Sequence, residues 1–210
     1  ARGLRLSIAE GLLSNVHITV TTNAFLTGFA LLLGAGDFEL GVIAALPFVG
    51  QLFQFAGAYL EARLGNRRML CAVGAALGRG LWGIIAVLPF LAVLGRARLV
   101  VFLVVLALSQ ALLGIAANAW TSWMSDLVPP RQRGRYFGTR NTITSITAMG
   151  AAWLAGRGVD YYRATGSPET GYALIFAVAV VAALVGAFLL TLKPEPTIRR
   201  APHVQIAALF

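Results

Sequence analysis

The sequence GAYLEARLGNRRML, residues 57–70, decides the fold because it interrupts a chain that is apolar for more than twenty residues on either side. It brings together one glutamate, three arginines and a glycine that can end a helix. Gly65 suits the left-handed conformation of a helix C-terminus. Arginines beside a long apolar segment hold a loop at the membrane surface. The stretch therefore predicts a polar loop that joins two membrane-spanning helices.

The overall composition agrees with a membrane protein. Hydrophobic residues make up 58% of the 210 residues, charged residues make up 12%, and the mean hydropathy is +0.78. Soluble proteins contain about 45–50% apolar and about 25% charged residues. The formal charge of +9 does not indicate nucleic-acid binding, because the basic residues lie between apolar runs and form no recognition module. We therefore expect an all-α membrane protein whose principal partner is the lipid bilayer.

Six segments are long and apolar enough to be predicted as membrane-spanning helices. They cover residues 7–33, 38–63, 69–94, 99–124, 136–156 and 171–192. Short connections predict that consecutive helices are antiparallel neighbours, so residues 1–192 should form one bundle. The prolines and charges of residues 193–210 cannot continue a membrane helix. We expect that segment to be a cytoplasmic tail, or a linker toward a second half.

The basic residues predict the orientation of the bundle, because cytoplasmic loops carry more Lys and Arg. Twelve lie on one predicted side and four on the other, with Arg79 inside a span. The twelve are Arg2, Arg5, Arg63, Arg67, Arg68, Arg131, Arg133, Arg135, Arg140, Lys193, Arg199 and Arg200. This distribution predicts a multi-pass protein of the plasma or inner membrane with both termini in the cytoplasm.

Polar side chains are unevenly distributed among the spans. The first, second, fourth and fifth carry most of them, whereas the sixth is almost purely aliphatic. Polar groups in lipid need partners or water. One interpretation is a substrate or proton path lined by those four spans, with the third and sixth outside; the alternative is that the polar groups hold helices together. The candidate path residues are Asn15, His17, Asn23, Gln51, Gln54, Arg79, Gln110 and Asn118.

Arg79 is unusual because it lies near the middle of its predicted span, about 15 Å along the helix axis. We expect no acidic residue at its depth, and we expect Glu10 to reach water at the inner surface. Arg79 could bind an anionic substrate, tune a proton site, or hold helices together. His17 could carry protons or simply pack between helices.

Residues 57–70 resemble the cytoplasmic signature of the major facilitator superfamily, with Leu60, Arg63 and Gly65 at matching positions and Glu61 one residue before the usual acidic position. The loop SDLVPPRQRGRYFGTRN, residues 125–141, is also similar to a loop of that family. The resemblance implies a gating role for both loops, and we expect Glu61 to pair with Arg133 or Arg135. The residues implied are Leu60, Glu61, Arg63, Gly65, Arg67, Arg68, Arg133, Gly134 and Arg135.

The resemblance implies the N-terminal six-helix half of a secondary transporter built from a 3+3 inverted repeat. Such a protein moves a small solute by alternating access, often coupled to protons, as a symporter or an antiporter. It is not an enzyme, and it needs no cofactor or metal. A second six-helix half would be its partner, in the same chain or as a second copy. The alternatives are a homodimeric half-transporter or channel, and a membrane protein that transports nothing. Sugars, organic anions, peptides and drugs all fit as solutes.

Overall fold

The computed structural model describes residues 2–193, except for the side chains of Arg2 and Arg5. The predicted tail beyond Lys193, with Arg199 and Arg200, lies outside the described residues. Within them the chain is helical and contains no strand. The helices are α1 (Arg2–Val20), α2 (Asn23–Leu32), α3 (Asp37–Leu64), α4 (Arg67–Gly80), α5 (Trp82–Val87), α6 (Ala97–Leu127), α7 (Arg133–Ala164) and α8 (Pro168–Thr191).

Four helical segments of the described chain are long and apolar enough to cross a membrane. They are α3, α6, α8 and the segment Arg67–Phe90, which contains α4 and α5. The predicted first span is divided between two shorter helices, and the predicted fifth span lies within the more polar α7. The chain is therefore an all-helical, multi-pass membrane protein, while the count of six spans stays a prediction.

The predicted first span is not one continuous helix, because the helix breaks between α1 and α2. The hydroxyls of Thr21 and Thr22 donate hydrogen bonds to the carbonyls of His17 and Ile18, each at 2.7 Å. Asn23 then adopts a positive φ of 50°, a left-handed conformation that Asn tolerates better than most residues. Threonine hydroxyls that bond the preceding turn can bend helices, and here they occur together with the left-handed Asn23 at the break.

The predicted third span is also interrupted. After α4 and α5 the chain tightens into two 3-10 turns, Leu88–Phe90 and Ala92–Leu94, before Gly95 at φ 48°. Pro89 lies in the first of these turns, and it has no N–H with which to continue an α-helix. The span is therefore a series of short helical pieces instead of the single helix that its apolar length predicts.

The bundle has a simple order of neighbours. α3 packs on α6, α6 packs on α4, and α4 packs on α8. On the other side, α1 packs on α8 and α7, and α7 also contacts α8. Four aromatic rings at one end, Phe29, Trp82, Phe102 and Phe176, pack edge to face with centroid separations of 5.0–5.4 Å. These rings fasten α2, α5, α6 and α8 together.

Glycines let the backbones of α3 and α6 touch. A Cβ at Gly50 would lie 2.8 Å from the carbonyl oxygen of Gln110, and one at Gly57 would lie 3.0 Å from that of Ile115. Gly114 of α6 faces the carbonyl of Gly50 in return. Small residues of this kind allow close helix packing in membranes, so these two helices form a pair with no side chain between them at Gly50 and Gly114.

Candidate functional site

The loop between α3 and α4 has the geometry that its sequence predicts. Gly65 adopts φ 63° and ψ 13°, and its N–H donates to the carbonyl of Glu61 at 3.0 Å. Asn66 then begins α4, because its side-chain oxygen accepts a hydrogen bond from the Met69 N–H at 2.9 Å. A left-handed glycine followed at once by an asparagine cap produces a tight reversal. This reversal holds Glu61 and Arg67 side by side.

A group of five polar residues, here called the loop cluster, connects this reversal to α6. It consists of Glu61, Arg67, Asn118, Ser122 and Asp126. The Arg67 Nε lies 2.7 Å from a Glu61 carboxylate oxygen, and Arg67 also pairs with Asp126. Ser122 and Asn118 donate hydrogen bonds to Glu61 at 2.6 and 3.2 Å. Charge-assisted bonds of this kind are among the strongest hydrogen bonds in proteins.

The expected pairing of Glu61 with Arg133 or Arg135 is wrong. Arg133 instead donates to the carbonyl oxygens of Ser125 and Val128, at 2.5 and 3.2 Å. It therefore caps the end of α6, where helix carbonyls lack partners. Glu61 finds its cation in Arg67, because the turn at Gly65 places that residue next to it.

The remaining residues of the predicted gating signature differ in how far they are exposed. Arg63 is exposed and stacks on Tyr59, with its guanidinium carbon 5.4 Å from the ring centroid. Leu60 and Arg68 are half-buried, whereas Gly134 and Arg135 are exposed.

The bundle contains a partly open cavity of about 480 Å³. Its wall comes mainly from α1, α4 and α6, with single contributions from Pro47 of α3, Trp82 of α5, Arg140 of α7 and Leu190 of α8. The lining runs along the first predicted span from Glu10 to Thr22, a length of about 18 Å at the helical rise. A cavity of this size falls in the usual range for small-molecule sites, about 300–1,000 Å³.

A second group of five polar residues is here called the cavity cluster: Glu10, Ser14, Arg79, Arg140 and Lys193. The first four line the cavity, and Lys193 is buried against Glu10 outside the lining. The hydroxyl of Ser14 donates to Glu10 at 2.5 Å and accepts from Arg79 Nη1 at 2.8 Å. Lys193 Nζ and Arg140 Nη2 lie 3.5 and 3.8 Å from the same Glu10 carboxylate. Side chains from α1, α4, α7 and the end of α8 thus converge around one carboxylate.

Two expectations about this cluster are wrong. Glu10 was expected to reach water, but it is only 3% exposed because Ser14, Arg140 and Lys193 surround it. Arg79 was expected to lack an acid at its depth, but Ser14 connects it to Glu10. A long arginine side chain can reach along the helix axis, so depth counted in residues misplaces its charged end.

Aromatic rings complete the surroundings of these cations. The guanidinium carbon of Arg140 lies 5.0 Å from the Trp120 ring centroid, and Lys193 Nζ lies 5.5 Å from that of Trp123. Cation–π contacts of this kind favour charged groups in partly dry surroundings. Burial lowers the pKa of the Lys193 amine, and the Glu10 carboxylate opposes that shift.

Two buried nitrogen atoms in the cavity lining have no hydrogen-bond partner within residues 2–193: Nδ1 of His17 and Nε of Arg140. The His17 ring packs edge-on against Trp82, at a centroid separation of 5.8 Å. Buried polar atoms usually find partners. The hydrogen-bonding capacity of these two atoms is therefore not used by the described residues.

The cavity brings together half of the candidate path residues. Asn15, His17, Arg79 and Gln110 line it. Asn23, Gln51 and Gln54 are exposed on the surface of the bundle, and Asn118 belongs to the loop cluster. The structure also differs from the expected arrangement of helices, because α4 of the third span supplies Cys71, Ala75 and Arg79 to the lining.

Sequence reasoning missed most of the residues that surround Arg79. Ser14, Arg140 and Lys193 were not among the candidates, and neither were Ser122 and Asp126 of the loop cluster. Only the four-residue spacing of Glu10 and Ser14 places two of them on one helix face in advance. Among the described residues, no three His, Cys, Asp or Glu side chains are grouped as metal ligands.

Apolar helices of membrane-spanning length, packed around a cavity that has both charged and apolar side chains in its lining, are typical of a multi-pass membrane protein. Residues 12–208 match the family model described as Major Facilitator Superfamily, which covers most of the chain. The chain therefore belongs to the Major Facilitator Superfamily, whose members are membrane transporters and not enzymes. No curated protein and no solved structure gives a significant match to this chain.

Proposed function

We propose that this chain is part of a secondary active transporter that moves a small solute across a membrane by alternating access. The observation that carries the proposal is the cavity of about 480 Å³, whose lining combines charged, amide and aromatic groups inside a bundle of apolar helices. Burying such polar groups in a membrane is costly. A solute path gives them a purpose that helix packing alone does not.

The packing order supports a 3+3 inverted repeat of six spans. In such a repeat, spans one, two and three correspond to spans four, five and six. The second and fourth spans are in contact through α3 and α6, and the equivalent fifth and first spans are in contact through α7 and α1. The third and fourth spans are in contact through α4 and α6, and the equivalent sixth and first spans are in contact through α8 and α1.

The outer face of α3 supports a second six-helix half as the partner of this bundle. Gln51 and Gln54 are exposed there beside Phe48, Leu52 and Phe55, which are 70%, 63% and 78% exposed. Amide side chains that face lipid are unfavourable, whereas amides at a helix–helix interface or a solute path find partners. The second half would be either another part of the same protein or a second copy of this chain.

We assign the loop cluster to the cytoplasmic gate of this transporter. The bias of twelve basic residues against four supports the proposal that both ends of the bundle lie in the cytoplasm, at a plasma or inner membrane. The loop cluster then lies at the cytoplasmic surface. Its ion pairs connect the end of α3 and the start of α4 to α6, and ion pairs of this kind can hold one of two conformations.

We propose protons as the coupling ion, and Glu10 as the group that carries them. Glu10 is a buried carboxylate that lines the solute cavity and contacts a hydroxyl and two cations. Intramembrane acids that line cavities are typical proton carriers of transporters. His17 lines the same cavity and is the second candidate.

Cysteine accessibility tests alternating access without any knowledge of the solute. Cys71 is first replaced by Ala, because it is the one native cysteine and lines the cavity. Asn15→Cys and Gln110→Cys are then labelled with a membrane-impermeant thiol reagent from each side of the membrane. We expect labelling at both positions to fall on one side as it rises on the other when the imposed proton gradient is reversed.

Val181→Cys on α8 is the control, because Val181 is 63% exposed and is not part of the cavity lining. Its labelling should not depend on the gradient. If Asn15→Cys and Gln110→Cys were equally protected from both sides in every condition, the proposal of alternating access would be rejected.

A further inference from the structure

We propose that the cavity binds an organic anion, which is held by Arg79 and Arg140 and packs its apolar body against Trp82 and Trp120. This inference rests on the proposed function, because it takes the cavity as the transport site. It narrows the solute from sugars, organic anions, peptides and drugs to carboxylates with an apolar or aromatic body.

The first argument is the charge of the cavity cluster. Arg79 and Arg140 each contribute one positive charge and Glu10 contributes one negative charge, so one positive charge is in excess even when Lys193 is neutral. Among the described residues, Glu10 is the single acid in the cavity lining. An excess charge inside a membrane protein is costly unless a counter-charge accompanies it. A bound anion supplies that counter-charge.

The second argument is that the contacts of these cations leave room for a ligand. Arg140 Nη2 lies 3.8 Å from Glu10, beyond hydrogen-bond distance, and its Nε has no partner within residues 2–193. Arg79 reaches Glu10 only through the hydroxyl of Ser14. An arginine presents up to five N–H donors in a planar fork that fits a carboxylate. The hydrogen bonds and ion pairs described above therefore use only part of the donor capacity of Arg79 and Arg140, and both residues line the cavity.

The third argument is the chemistry of the rest of the lining. Trp82, Trp120, Leu113 and Ala116 form an apolar and aromatic surface near the charged wall. Inorganic phosphate could satisfy the arginines but would leave this surface in contact with water. A molecule with one charged end and an apolar body contacts both surfaces, as is typical of ligand sites in which a few polar groups orient the ligand.

Glu10 has a specific role in this proposal. Its carboxylate accepts from Ser14 and lies within 4 Å of both Arg140 and Lys193, so it is the counter-charge that the protein itself supplies to these cations. A substrate carboxylate would compete with it for Arg140 and for the Ser14–Arg79 pair. Binding therefore changes the partners of Glu10, which is the residue proposed above to carry the proton.

The test measures binding of matched pairs to the complete protein in lipid nanodiscs by isothermal titration calorimetry. Each pair consists of a carboxylate and its primary amide: benzoate and benzamide, 2-naphthoate and 2-naphthamide, hexanoate and hexanamide. We expect each carboxylate to bind about tenfold or more tightly than its amide, because a hydrogen bond to a charged group is about 1.5–3 kcal/mol favourable. Inorganic phosphate should bind more weakly than 2-naphthoate.

Variants locate the site. Arg79→Gln and Arg140→Gln should each weaken 2-naphthoate binding by about tenfold or more. Arg140→Lys, which keeps the charge, should lose less. Arg157→Gln is the matched control, because Arg157 is exposed on the same helix as Arg140 and outside the cavity lining; it should bind like the unaltered protein. A thermal unfolding curve of each variant establishes that it is folded.

Equal affinity for carboxylate and amide, or no binding by any carboxylate of the panel, would overturn the inference. So would an Arg140→Gln protein that is folded and binds 2-naphthoate as well as the Arg157→Gln protein does. The accessibility experiment uses no solute. If no anion binds but labelling still changes in opposite directions on the two sides, the proposed substrate class is rejected and the proposed transporter is retained. If an anion binds but labelling does not change in this way, alternating access is rejected and the anion site is retained.

Discussion

The loop cluster and the cavity cluster each contain five polar residues, yet they satisfy their charges in opposite ways. In the loop cluster two acids, Glu61 and Asp126, share Arg67, and the Arg67–Glu61 contact is 2.7 Å. In the cavity cluster Lys193 and Arg140 lie 3.5 and 3.8 Å from Glu10, and Arg79 reaches Glu10 through the hydroxyl of Ser14. The first cluster has acids in excess and a short ion pair, whereas the second has cations in excess and longer ion pairs.

We interpret the loop cluster as a structural contact between helices and the cavity cluster as part of the proposed binding site. Short, closely bonded contacts stabilise one arrangement of the helices, which suits a closure between α3, α4 and α6. Long contacts around an excess of positive charge leave donors for a molecule that the protein binds and releases. Three predictions test the contrast, in order of decreasing effect.

The largest effect should follow Glu10→Gln. This change leaves Arg79, Arg140 and Lys193 buried without their shared carboxylate, and removing one partner of a buried charge pair typically costs about 3–5 kcal/mol. We expect a loss of about 3 kcal/mol in the free energy of unfolding in mixed micelles. Asp160→Asn is the control, since Asp160 is 75% exposed and lies 3.9 Å from Arg163; it should leave the unfolding free energy nearly unchanged. A similar loss for both variants would contradict the buried cluster.

A smaller effect should follow Glu61→Gln. The variant loses the ion pair with Arg67 but keeps an acceptor for Ser122 and Asn118, so we expect a loss of about 1–3 kcal/mol in the unfolding free energy. Labelling at Asn15→Cys should also shift toward the cytoplasmic side, because the closure is weakened. Arg63→Gln serves for comparison, because Arg63 contacts only the Tyr59 ring among the contacts given above. If labelling were unchanged in the Glu61→Gln protein, the proposed role of the loop cluster in gating would be rejected.

The smallest effect should follow Gly11→Ala. A Cβ at this position would lie 2.7 Å from Arg140 Nη2 and 3.0 Å from its Cζ, so the guanidinium must move away from Glu10. The side chain is flexible, and we expect a loss of about 1 kcal/mol in unfolding free energy with weaker 2-naphthoate binding. Gly138→Ala is the matched change, because a Cβ there meets no atom within 4 Å. It should stabilise the protein by about 0.5–1 kcal/mol; equal behaviour of the two variants would show that Arg140 is not held as described.

The sequence predicts the loop cluster better than the cavity cluster, and the physical reason is distance along the chain. Glu61, Gly65 and Arg67 lie within one short reversal, where local rules for helix ends apply. The residues of the cavity cluster come from α1, α4, α7 and the end of α8. Their meeting depends on the tertiary packing of four helices, for which a single sequence contains no local signal.

The distribution of apolar residues along the sequence also predicts where apolar helices begin and end. It does not predict where such a helix is interrupted. Residues 38–63 and 99–124 were expected as spans, and α3 and α6 contain them with one to three further residues at each end. The break at Thr21 and Thr22 depends on hydroxyls that bond the preceding turn. Threonines make the same bonds inside the unbroken α7, at Thr142 and Thr147, so the residue type alone does not predict where a helix breaks.

The glycine contact between α3 and α6 has a mechanical consequence. The carbonyl of Gly50 meets Gly114 with no side chain between them, so a rotation that brought a larger residue into this contact would make it collide with the other backbone. We expect α3 and α6 to move together as one rigid body. This rigid body includes the exposed amides of Gln51 and Gln54, and it includes Glu61 of the loop cluster. The proposed rocking motion would then separate Arg67 and α4 from the α3–α6 pair, and the contact between α3 and α6 would stay unchanged.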